Sequence, residues 1–113
     1  MIVKSEVRAR LRKIRATHSE AKRALWNAAI TETVLASALF SSASVVHCYL
    51  SNPTEVATDG IIQAALHQKK RVVVPVITKN DLALFEIDDL APDRFQIGAL
   101  GIQEPIDPKR EVD

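Results

Sequence analysis

Two β-branched runs stand either side of a single helical segment, and this pattern restricts the fold more than any other part of the chain. Val45-Val46-His47-Cys48-Tyr49-Leu50 reads as a strand buried on both faces. Arg71-Val72-Val73-Val74-Pro75-Val76-Ile77 reads as a second strand, cut or bent at Pro75. Between them, Ser51-Asn52-Pro53 supplies turn chemistry, and residues 56–68 form a helix with Ile61, Ile62, Ala65 and Leu66 inward. Strand, helix and strand in that order predict parallel pairing with a right-handed crossover. Gly60 within the helix costs about 1 kcal/mol relative to alanine. Lys69-Lys70-Arg71 closes it at the end where the dipole favours cations.

The remaining segments attach to that unit. Val3, Val7, Leu11 and Ile14 make one apolar stripe of an amphipathic helix over residues 2–16, which should seat that helix on the core. Lys4, Arg8, Arg12 and Arg15 repeat the spacing one position on, as a cationic ridge at the margin of the stripe. Thr17 with Glu20 reads as a capping box opening a second helix over residues 18–39, with Trp26, Ile30 and Val34 as its apolar row. A strand over residues 82–87 follows the Lys79-Asn80-Asp81 turn, and residues 88–113 read as an irregular tail. The expectation is one α/β domain over residues 1–113, with a small, mostly parallel sheet and flanking helices. A sheet this thin leaves an edge through which two copies can associate.

Composition narrows the function. With 113 residues, a net charge of +1 and 26% charged residues, neither a strongly basic tail nor an acidic disordered segment dominates. The charge is unevenly spread, however. Residues 1–23 carry eight Lys or Arg against two acids, and residues 80–113 carry nine acids against three bases. No apolar run approaches the roughly 18 residues of a membrane helix, so no membrane partner and a cytoplasmic location are expected. The five aromatics do not interleave with the basic residues, so the stacking platform of a single-strand nucleic-acid binder is missing. The single cysteine, Cys48, next to His47 on a strand, points to the opposite face from it and reads as a core thiol. No metal-ligand spacing emerges, and three glycines cannot build a glycine-rich phosphate cradle.

Two stretches carry chemistry. Lys4 and Arg8 lie one turn apart on one helix face, the spacing of a phosphate clamp and equally of a solvated cationic face. Tyr49-Leu50-Ser51-Asn52-Pro53-Thr54-Glu55 lies where a buried strand ends and a helix begins, the place where open α/β sheets bind ligands. A carboxylate there accepts hydrogen bonds from the N–H groups of a heterocycle. In the plainer reading, Glu55 is a first-turn acid favoured by the helix dipole.

In order and spacing, these stretches resemble the 5-formyltetrahydrofolate cyclo-ligase family. The matching pieces are Lys4-x-x-x-Arg8, Tyr49-Leu50-Ser51, Glu55-Val56-x-Thr58, Val72-Val73-Val74-Pro75, Leu84-Phe85-Glu86-Ile87 and Gly101-Ile102-x-Glu104-Pro105. The resemblance implies the N-terminal part of a larger three-layer α/β fold. It also implies ATP- and Mg2+-dependent conversion of 5-formyltetrahydrofolate to 5,10-methenyltetrahydrofolate. Lys4 and Arg8 would then contact ATP, and Leu50 and Glu55 would line the folate site. Family members continue into a glycine-rich, arginine-containing ATP loop and acidic magnesium ligands that this sequence lacks, and Leu100 stands where an aromatic is frequent. The expectation is therefore a chain inactive by itself. The alternative is a non-catalytic shortened relative that binds folate or nucleotide, or pairs with another protein.

Overall fold

The structure, a computed structural model, describes residues 3–53, 55–78, 81–98, 102–106 and 110–112. Lys79 and Asn80 of the expected turn, and Leu100 and Gly101, lie outside the described residues. The strand–helix–strand unit forms as its pattern dictates. β1 (Val45–His47) runs parallel to β2 (Arg71–Thr78), with Val46 opposite Val72, and α4 (Asp59–His67) connects them. β3 (Asp81–Ile87) returns antiparallel to β2, placing Val74 opposite Phe85. β6 (Arg110–Val112) adds antiparallel to β3, giving the order β1-β2-β3-β6. The fold is α/β, but the sheet is mixed, where a mostly parallel one is expected. The β2–β3 hairpin needs only a short turn, whereas each further parallel strand needs a crossover; β6 returns to the sheet only after residues 88–109.

Alternation along β2 separates its two faces. Val72 and Val74 join Ile62 and Ala65 of α4, Ile87, Leu50 and Phe40 in one core cluster. The expected inward row of α4 is therefore found, with Ile62 and Ala65 fully buried and Ile61 and Leu66 packed at the margin. Pro75 does not cut β2. The Val73 carbonyl accepts from the Cys48 N–H at 3.0 Å, so alternate residues 73 and 75 turn their backbone groups toward β1. β1 ends at His47, and the ladder therefore asks no N–H of Pro75.

Three other expectations are corrected. Residues 18–39 form two helices, α2 (Glu20–Leu35) and the short α3 (Ala38–Ser42), because the Ser37 hydroxyl accepts from the Phe40 N–H and starts a new helix. The cap of α2 is Ser19, which accepts from the Lys22 N–H, while the Thr17 hydroxyl donates back to the Ile14 carbonyl. The tail is structured. A 3-10 turn (Pro92–Arg94) leads into β4 (Phe95–Ile97), which pairs antiparallel with β5 (Gln103–Pro105), and β6 then joins the main sheet.

The first helix departs most from expectation. α1 (Lys4–Thr17) buries none of its residues, and Val3, Val7, Leu11 and Ile14 remain between 37% and 52% exposed. Its stripe is therefore not seated on the core. Among the described residues, no helix is long and apolar enough to cross a membrane.

Candidate functional site

Where β1 ends and β2 continues past it, the sheet leaves a cavity of about 490 Å³. Leu50, Pro75, Ile77, Leu82 and Ile102 form its apolar wall. Arg12, Arg15, Tyr49, Asn52 and Glu55 supply the polar part. Its position, at the carboxyl ends of two parallel strands, follows from the strand–helix–strand unit itself.

Side chains of the loop between Tyr49 and Thr58 bond to its own described backbone groups. The Asn52 N–H donates to Glu55 Oε1 at 2.9 Å, and the Glu55 N–H donates to Asn52 Oδ1 at 3.1 Å. This reciprocal pair fixes the orientation of the Glu55 carboxylate before any ligand arrives. The Tyr49 hydroxyl donates to the Val56 carbonyl at 3.0 Å. The buried Thr58 hydroxyl donates to the Tyr49 carbonyl at 2.7 Å, and the Thr58 N–H donates to the Ser51 hydroxyl at 3.1 Å. Burial pushes the Tyr49 phenol above its ordinary range; the Glu55 charge and Cys48 add to this, and Arg15 opposes it. Tyr49 thus remains a neutral donor. The neighbouring Cys48 thiol is also raised by burial, against a hydrogen bond with Thr58, and packs at the edge of the core as an unactivated thiol.

Of the four residues singled out from the sequence, the structure brings two together. Leu50 and Glu55 share the cavity. Lys4 and Arg8 do not line it; they sit on the exposed part of α1 beyond Arg12, about 12 and 6 Å farther along the axis at 1.5 Å per residue. The cations nearest the cavity are Arg12 and Arg15, which the sequence reading placed in the ridge but not in the site. The signal was present in the spacing 4, 8, 12, 15; only the fold tells which end of the ridge meets the pocket. The Arg15 Nε is buried without a hydrogen-bond partner, so one donor at this wall is unmatched. A smaller cavity of about 300 Å³ lies on the other side of the Arg15–Glu55 wall, lined also by His18, Trp26 and Val56.

The fold is an α/β domain whose parallel strands end at a cavity lined by Glu55, Arg12 and Arg15. The chain belongs to the 5-formyltetrahydrofolate cyclo-ligase family, which matches residues 1–113. It is 31% identical over 106 residues to a probable 5-formyltetrahydrofolate cyclo-ligase from Caenorhabditis elegans, covering 91% of this chain and 52% of that protein. Its fold is similar to the NMR structure of the Aquifex aeolicus 5,10-methenyltetrahydrofolate synthetase, with a TM-score of 0.75 and 23% identity, over 98% of this chain and 55% of the other. The chain thus spans about half the length of these relatives.

Proposed function

We propose that the 490 Å³ cavity binds 5-formyltetrahydrofolate and that the ridge of α1 binds the phosphates of ATP, the two substrates of the conversion to 5,10-methenyltetrahydrofolate, which this chain does not carry out by itself. The observation that carries this reading is the meeting, in one cavity, of the Leu50 wall, the pre-oriented Glu55 carboxylate and the cations Arg12 and Arg15. A flat heterocycle lies against the apolar wall, and Glu55 accepts hydrogen bonds from its N–H groups. Lys4 and Arg8, with Arg12, continue the cationic track away from the pocket, where phosphates can lie along the helix. In the reaction, the formyl oxygen takes the γ-phosphoryl group and ADP leaves; N10 then attacks the activated carbon and phosphate departs. Ordered cations favour the first step by neutralising charge on the transferring group. Among the described residues, no three His, Cys, Asp or Glu side chains come together to hold a metal ion, so no step is assigned to magnesium.

Calorimetric titration with 5-formyltetrahydrofolate tests the reading. Glu55→Gln is expected to weaken binding about tenfold, which corresponds to about 1.4 kcal/mol. ATP at millimolar concentration is expected to raise the melting temperature, and Lys4→Ala with Arg8→Ala to remove the rise, while Arg10→Ala with Lys13→Ala leaves most of it. Turnover is read in the same samples from near-ultraviolet absorbance with ATP and Mg2+; binding without turnover is expected, because three glycines offer no phosphate cradle. Absence of folate binding overturns the proposal. One observation favours a second reading, a protein-interaction module: α1 leaves its whole apolar stripe exposed.

A further inference from the structure

The loop that presents Glu55 is anchored from outside by α2. The Arg23 guanidinium donates from Nη1 to the Pro53 carbonyl at 2.8 Å. The Ala57 N–H donates to Asn27 Oδ1 at 3.1 Å. Pro53 and Ala57 stand two residues before and two residues after Glu55. Arg23 and Asn27 are one turn apart on α2, so one helix face grips the loop on both sides of the carboxylate. The next residue of that face, Thr31, lies against Gly60, so the same face of α2 also meets the first turn of α4. Asn is an unfavourable choice inside a helix, and its acceptor is spent here on a backbone N–H thirty residues away.

We infer that Arg23 and Asn27 are positioning residues for the ligand site: they hold Pro53 and Ala57, on either side of Glu55, so that the Asn52–Glu55 pair faces the cavity. This rests on the folate-binding reading of that cavity. Neither side chain lines the 490 Å³ cavity, so neither touches a ligand there; both line the smaller 300 Å³ cavity that shares Arg15 and Glu55 with it. Their effect on the larger cavity passes through the loop. Freed from α2, the loop retains its internal bonds, but its carboxylate samples several placements, and binding must first select one of them.

The test compares Asn27→Ala with Asn27→Asp in the full 113-residue chain; aspartate retains the acceptor, and alanine removes it. Two quantities are measured: the Kd for 5-formyltetrahydrofolate by calorimetry, and the exchange rate of the Ala57 amide by NMR. Asn27→Ala is expected to raise Kd at least tenfold and to accelerate Ala57 exchange at least tenfold, while Asn27→Asp stays within threefold of the parent in both. Arg23→Met is expected to raise Kd in the same direction. If Asn27→Ala leaves Kd unchanged, the positioning role is overturned. If Ala and Asp variants lose affinity alike, Asn27 serves packing only, and the inference is again overturned. If the parent chain binds no folate, the functional reading falls. The exchange rate then decides alone, and an Ala57 amide equally protected in Asn27→Ala overturns the anchoring.

Discussion

Glu86 is 5% exposed on a sheet face, and Arg71 grips it from the neighbouring strand, with Nε and Nη2 donating to the same Oε1 at 3.0 and 2.8 Å. The register that places Val73 opposite Glu86 sets Arg71 two residues away on β2, on the same face of the sheet. Arg71→Met removes two charge-assisted bonds from a buried carboxylate, and an expected loss of about 2 kcal/mol follows from the usual worth of such bonds. Urea unfolding measures it, and a loss below a few tenths would show the pair to be idle. The thiol of Cys48 and the phenol of Tyr49 offer a second prediction, because burial raises both above their ordinary values. As pH rises, the unfolded chain ionises first, so stability is full below the unfolded thiol value and falls from about pH 8.5 upward. Melting temperatures between neutral and alkaline pH should show that fall, and Cys48→Ala should flatten its first part. Leu50 and Glu55 were marked by the family resemblance, and the place that they share, a strand end preceding a helix, can be read without knowledge of the rest of the sheet. The Arg71–Glu86 pair was not legible, since it exists only through the pairing of β2 with β3.

At the scale of elements, the strand–helix–strand unit and the hairpin were readable because their β-branched runs and the inward row of α4 each span several residues. The strands of the tail were not, since three residues carry no detectable period. The break between α2 and α3 was hidden by apolar residues that continue through Leu39, although Ser37 is the cap that makes it. Gly60, which the sequence marks only as a cost, has a packing reason: an added Cβ would stand 3.1 Å from the Thr31 Cγ2 of α2. Alanine there asks Thr31 to shift by a few tenths of an ångström. A branched side chain asks α4 to move, and with it the loop that α4 terminates. Gly60→Val is therefore expected to destabilise the chain by about 2 kcal/mol, within the usual range for overpacking, and to weaken folate binding as well. Chemical denaturation and calorimetry on the same variant check both. A variant as stable as the parent would mean that α2 and α4 are less closely fitted than their contact implies.

The whole molecule is looser than its length requires. Its radius of gyration is 15.3 Å, against about 13 Å expected for a compact chain of this size. The difference agrees with an α1 that has no buried residue and leaves an apolar stripe of four residues exposed on a helix. The edge strands β1 and β6 are three residues each, too short to offer a long template for pairing. Self-association, expected from the sequence at an open edge, is therefore predicted to run through the stripe Val3, Val7, Leu11 and Ile14. Two stripes meeting also bring two cationic ridges together, within or near the Debye length of about 10 Å at 0.1 M salt. Added salt screens that repulsion, so the association should strengthen as salt rises, whereas backbone pairing of edge strands would be nearly indifferent to it. Light scattering coupled to size exclusion is expected to show a mass above the 12.5 kDa of the single chain, increasing with protein concentration and with salt. Val7→Lys with Leu11→Lys should return it to 12.5 kDa. A chain that remains at that mass at every concentration, or a double variant that associates as the parent does, would remove α1 from the interface.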